Sequence, residues 1–155
     1  MGNDIKSLVV SSRLNPGQYA RLERKARKLG LSTSETSARL IEEGLRREEF
    51  MFVDFRDSQV GRQAYIQGST LAVWEVVWIA RGYAVKGKNY VDKTAKHLCL
   101  SPLKVQAALS YAEAFPEIDL AIQDYRDSCD FNSLKRMLPQ ATVFPLPPDA
   151  PLPDR

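Results

Sequence analysis

The side chains best able to carry chemistry are few and scattered. His97 is the single histidine of the chain. That removes most zinc sites, and every Ser-His-Asp or Cys-His scheme that needs it beside a partner. It reads as a helix-surface residue. Cys99 and Cys129 lie far apart and form no C-x-x-C pair, so two free thiols are expected rather than a disulfide. Asp54, Asp57, Asp124, Asp127 and Asp130 follow no ligand or general-acid spacing. No phosphate loop and no nucleophile–base pair occurs. Neither an enzyme nor a bound cofactor or metal is expected.

Charge is more informative. Residues 1–50 hold 10 basic against 7 acidic side chains, residues 51–128 hold 9 of each, and residues 129–155 hold 3 of each. The whole excess of +3 lies in the first third, which is where nucleic acid would be met. Apolar content of 44% and charged content of 26% are those of an ordinary globular chain. The longest apolar run, residues 71–80, is too short for a bilayer and contains Glu75. The opening Met-Gly-Asn-Asp-Ile-Lys has neither an apolar signal core nor a myristoylation pattern. A cytoplasmic protein without a membrane partner is expected.

The elements that would present this charge can be read in order. Residues 7–14, Ser-Leu-Val-Val-Ser-Ser-Arg-Leu, alternate as a short strand. Leu8, Val10, Ser12 and Leu14 share one face; Ser7, Val9, Ser11 and Arg13 share the other. Asn15-Pro16 caps and opens a helix. Its apolar stripe is Tyr19, Leu22, Ala26 and Leu29, its other faces carry Arg21, Arg24, Lys25, Arg27 and Lys28, and Gly30 ends it. Ser32-Thr-Ser-Glu35 is a capping box that opens a second helix, apolar at Ala38, Leu40, Ile41 and Leu45. One strand and two helices bury too little to form a core alone, and a lone strand leaves its edges open. Both problems vanish when two copies pair their strands antiparallel and intertwine their helices.

This succession, with its Gly30-Leu-Ser-Thr-Ser34 corner, resembles the ribbon–helix–helix family of bacterial and plasmid repressors over about residues 6–48. The resemblance implies an obligate homodimer whose two-stranded ribbon lies in the DNA major groove. It implies that Ser7, Val9, Ser11 and Arg13 meet base edges, with Arg13 forking onto a guanine and Val9 packing on a thymine methyl. It also implies that the start of the second helix, with Ser32, Thr33 and Ser34, holds phosphate, and that Lys6 adds a phosphate contact. Two positions depart from the pattern. Ser12 stands where the family buries an aliphatic side chain, and Val9 where a polar or basic reader is common. An arm that only dimerises is the alternative.

Residues 50–55 are a second β-type run, either a link or a strand beside residues 64–66, and residues 56–63 read as a turn. A core helix follows. Val73, Val76, Val77 and Ala80 form one face, Trp74 and Trp78 widen it, and Gly82 is placed to cap its end. Residues 91–98 form a short helix, Cys99-Leu100 a tight turn, and Ser101-Pro102 opens a helix that stops before Pro116. Residues 117–128 are a last helix. Short helix, turn and longer helix give a helix-turn-helix outline, with Lys104 and Gln106 as readers if it met DNA. The zero net charge of this stretch favours a packing corner instead.

Residues 61–116 also resemble the small bacterial family called domain of unknown function 433. The likeness rests on Tyr65-Ile-Gln-Gly-Ser-Thr70, Val73-Trp74, Gly82, residues 98–103 and Ala107-Ala-Leu-Ser-Tyr-Ala112. Leu71 stands where an arginine usually follows the threonine. This resemblance implies an antitoxin-type domain, winged-helix-like, with a PIN-like ribonuclease toxin as partner.

Six of nine prolines fall at Pro139, Pro145, Pro147, Pro148, Pro151 and Pro153. Such a tail is expected to be extended and polyproline-like. Val143, Phe144, Leu146 and Leu152 are more apolar than a spacer needs, so it suits a partner's groove. The chain is therefore expected to be mainly α with short β. Residues 1–49 would be the ribbon–helix–helix arm, 50–128 a winged-helix-like domain with a helix-turn-helix, and 129–155 a tail. The expected function is a dimeric antitoxin that binds operator DNA, represses its own operon and holds a toxin through Trp74, Trp78, Phe144 and Leu146. The alternatives are a stand-alone ribbon–helix–helix regulator without a toxin, and an oligomeric adaptor.

Overall fold

Local signals set the element boundaries in the computed structural model, which describes residues 9–85 and 87–129. Ser7, Phe144 and Leu146 lie outside the described residues. Six helices and one two-stranded sheet are described. In order they are α1 (Pro16–Leu29), α2 (Thr33–Glu49), β1 (Val53–Ser58), β2 (Gly61–Ile66), α3 (Val73–Ala84), α4 (Tyr90–Leu98), α5 (Pro102–Ala114) and α6 (Glu117–Ser128). The fold is mainly α with a short β-hairpin. The chain divides between Met51 and Phe52 into two units. No helix among the described residues is long and apolar enough to cross a membrane.

In the first unit, Asn15 accepts the Gln18 N–H at 2.9 Å, and the Gln18 carboxamide accepts the Asn15 N–H at 2.9 Å. Pro16, which has no N–H to satisfy, opens α1. Gly30 ends it at φ 66, a left-handed angle that glycine adopts without strain. Of the strand expected over residues 7–14, the described residues 9–14 carry no strand in the single chain. A strand exists by its ladder to a neighbour, and β1 and β2 pair with each other.

Helices α1 and α2 pack together, yet Ala26, Thr36 and Glu43 are the only buried residues among those described in this unit. Tyr19, Leu40, Ile41 and Leu45 remain 42–57% exposed.

The second unit begins with the hairpin. Val53 pairs with Ile66, Asp54 with Tyr65, Phe55 with Ala64 and Arg56 with Gln63. Residues 56–63, read above as a turn, are mostly strand, and only Gln59 and Val60 lie between the paired residues Ser58 and Gly61. Alternation places Val53, Ala64 and Ile66 on the buried face, and Asp54, Arg56, Gln63 and Tyr65 on the other.

Helix α3 is the centre of this unit, touching β2, α4, α5 and α6. Val73, Val76, Val77 and Ala80 are fully buried. It runs through Gly82 to Ala84, so Gly82 is not the cap. No glycine conformation is needed there because α3 simply continues for two more residues. Val105, Ala108 and Tyr111 from α5 and Ile118 and Ile122 from α6 complete the core. The corner between α4 and α5 turns on Cys99, held at φ 53.

Candidate nucleic-acid interface and aromatic face

The arm ahead of α1 is open. Val9 and Val10 are 92% and 83% exposed, and Ser11 and Arg13 are exposed too. Behind it, α1 presents Arg21, Arg24, Arg27 and Lys28 to solvent. A cleft of about 330 Å³ runs between α1 and α2, lined by Leu14, Leu22 and Leu40 with Arg21 and Lys25 at its edge. Its lining combines apolar side chains with basic ones.

The start of α2 differs from the phosphate site that the resemblance implies. The Ser32 hydroxyl donates to the Glu35 carboxylate at 2.6 Å and accepts the Glu35 N–H at 3.1 Å. The same carboxylate accepts the Ser32 N–H at 2.9 Å. Ser32 is therefore committed within the chain. Its bonds hold the Glu35 carboxyl below its ordinary value, so an anion already sits at this helix start. The exposed Ser34 and half-buried Thr33 keep the positions from which a phosphate could be met.

The second unit gathers different chemistry. Lys104, the reader suggested by the helix-turn-helix outline, instead donates through Nζ to the Gln67 carbonyl at 2.8 Å. Arg56 donates through Nη1 to the Ser69 carbonyl at 2.7 Å. The turn between β2 and α3 is gripped by a cation on each side of Gly68. Gln106 is exposed and close to Lys104 in α5. His97 accepts or donates a 2.9 Å hydrogen bond with the Tyr83 hydroxyl, which ties α4 to α3. That is a structural use of the one histidine.

Trp74 and Trp78 both lie against Tyr125 of α6, at centroid separations of 5.1 and 5.0 Å. The tryptophans are half-buried, not fully inside. The neighbouring Cys129 thiol, with desolvation and the Glu75 carboxylate, pushes the Tyr125 phenol up. A cleft of about 170 Å³ opens beside Trp74, lined also by Tyr65, Val60, Gln63 and Glu75. Tyr125 and Tyr65 were not singled out from the sequence as site residues. The Ile118, Ile122, Tyr125 spacing was the available signal for the first, and strand alternation was the signal for the second. Among the described residues, no group of three His, Cys, Asp or Glu could hold a metal ion.

Comparison with protein-family models, curated proteins and solved structures finds no match to this chain.

Proposed function

We propose that the chain is the dimeric, DNA-binding antitoxin of a toxin–antitoxin pair, and not an enzyme. Two copies pair residues 6–48 as a ribbon–helix–helix, with residues 7–14 of each forming the ribbon. Ser7, Val9, Ser11 and Arg13 face base edges, while Thr33 and Ser34 approach phosphate. The second unit, winged-helix-like in this reading, and the proline-rich tail hold a PIN-like ribonuclease toxin through Trp74, Trp78, Phe144 and Leu146. No cofactor is needed, and the site of action is the cytoplasm.

The observation that carries this reading is the incomplete first unit. Its helices leave Tyr19, Leu40, Ile41 and Leu45 exposed around a basic surface. A second copy would cover the apolar side chains and double the positive field. Two measurements test it: sedimentation of the purified protein, and mobility shifts on the DNA upstream of its own gene over a salt series. A monomer, or binding to that DNA no tighter than to random duplex, would sink the proposal. Co-purification from the native host tests the toxin; recovery of the dimer on DNA with no ribonuclease would leave a stand-alone regulator.

One observation favours the adaptor. Glu35 places a carboxylate at the helix start where phosphate is expected. If the adaptor is correct, the dimer forms but binds no duplex even at low salt.

A further inference from the structure

We propose that residues 139–153 of this chain dock on its own aromatic face, formed by Tyr65, Trp74, Trp78 and Tyr125. The route is set by α6. This helix ends at Ser128, and the next residue, Cys129, donates its main-chain N–H to the Tyr125 carbonyl at 3.0 Å, one turn on from the Tyr125 ring. Tyr125 lies 5.1 Å from Trp74, and Trp74 lines the 170 Å³ cleft. Cys129, to which the remaining chain is attached, thus follows the helix that carries one ring of the aromatic face.

The chemistry of the two surfaces matches. Proline-rich segments take the polyproline II conformation and bind between aromatic rings, because the helix is preformed and its prolines have no N–H to desolvate. Their carbonyls need donors, which indole N–H, phenol and carboxamide groups supply. Trp74, Tyr65 and Gln63, which carry such groups, are among the residues lining the cleft. Residues 137–148, Met-Leu-Pro-Gln-Ala-Thr-Val-Phe-Pro-Leu-Pro-Pro, carry no charge. Glu75, the one acidic residue lining the cleft, accepts the Ala72 N–H at 2.6 Å. Length is no obstacle, since nine residues between Cys129 and Pro139 would span up to about 30 Å if extended and about 13 Å if helical.

Docking in cis does not depend on the antitoxin reading, and it holds with or without DNA. If that reading is also correct, a toxin takes Phe144 and Leu146 only by displacing them from this face.

Trp74 and Trp78 are the only tryptophans, so their fluorescence reports on this face alone. The test compares acrylamide quenching of the full chain with that of the full chain carrying Phe144→Ser and Leu146→Ser, without DNA or toxin. Docking predicts that quenching in the variant rises by about twofold, as rings lose a covering chain. A synthetic peptide of residues 139–153, added to the variant, restores the protection. Equal quenching in the two proteins, or no effect of the peptide, overturns the proposal. Protection of the unmodified chain that disappears on hundredfold dilution also overturns it, because the occupant is then the tail of another copy.

Discussion

Lys104 donates its ammonium to the main-chain carbonyl of Gln67, thirty-seven residues earlier in the chain, at 2.8 Å. The bond fastens the first turn of α5 to the turn that precedes α3. Arg56 holds the Ser69 carbonyl of the same turn at 2.7 Å. Between them Gly68 sits at φ +74, where a side chain would be strained. A residue that looked like a DNA reader is thus a brace. Lys104→Met is expected to lower unfolding stability by about 0.5–1.5 kcal/mol, the net worth of one exposed charge-assisted bond. Urea titration measures it. DNA affinity should be unchanged.

Arg13 is exposed in the single chain. In the proposed dimer it would reach base edges. Arg13→Ala should therefore weaken operator binding by about 1–3 kcal/mol while leaving the dimer intact. Mobility shift and sedimentation on the same preparation check the two halves. An unchanged shift would show that the ribbon is not the reader.

Glu35 predicts an acid limit on α2. Its carboxyl is held below the ordinary value by the Ser32 hydroxyl and N–H. The folded form therefore binds a proton less readily than the unfolded chain. Stability from this group is fully present above the unfolded value, near pH 4.5, and is lost as pH falls through the lower folded value. Helicity followed from pH 6 down to pH 2.5 should show this loss in the native protein. In Glu35→Gln, which keeps the capping geometry without the charge, that component should be absent.

Cys99 takes a left-handed φ of 53 at the α4–α5 corner. Glycine is the usual residue there because it has no Cβ to clash. Cys99→Gly is expected to stabilise the second unit by roughly 0.5–1 kcal/mol. A raised urea midpoint at constant slope would bear this out, and a lowered one would show that the thiol has a packing role.

Helix starts were the most legible features. Asn15-Pro16, Ser32 with Glu35, and Ser101-Pro102 each announce a free N–H problem and its solution, and each lies where a helix begins. Strand ends were harder. Arg56, Ser58 and Gln63 are polar because their hairpin face does not enter the core, and Gln59-Val60 lacks the glycine signal of a tight turn. Gly82 was misleading because a glycine in an exposed part of a helix and a glycine just beyond one look alike in sequence.

The site was less legible than the fold. The capping box at Ser32 was plain, but its chemical consequence was not: satisfying the helix start from within leaves less for a phosphate. Lys104 misled for a similar reason. Its partner is a carbonyl far away in sequence, and no local pattern marks that.

The sparse core of the first unit ties its stability to the amount of protein rather than to shape alone. With Ala26, Thr36 and Glu43 as its only buried described residues, its persistence would be set by mass action. In the proposed dimer, each tenfold rise in protein concentration adds about 1.4 kcal/mol to its apparent stability. The second unit has its own core and gains nothing. Thermal scans at increasing concentration should then show one transition that moves upward and one that stays. A cell holding few copies would keep the second unit folded while the arm unravels, so DNA occupancy would register how much of the protein is present.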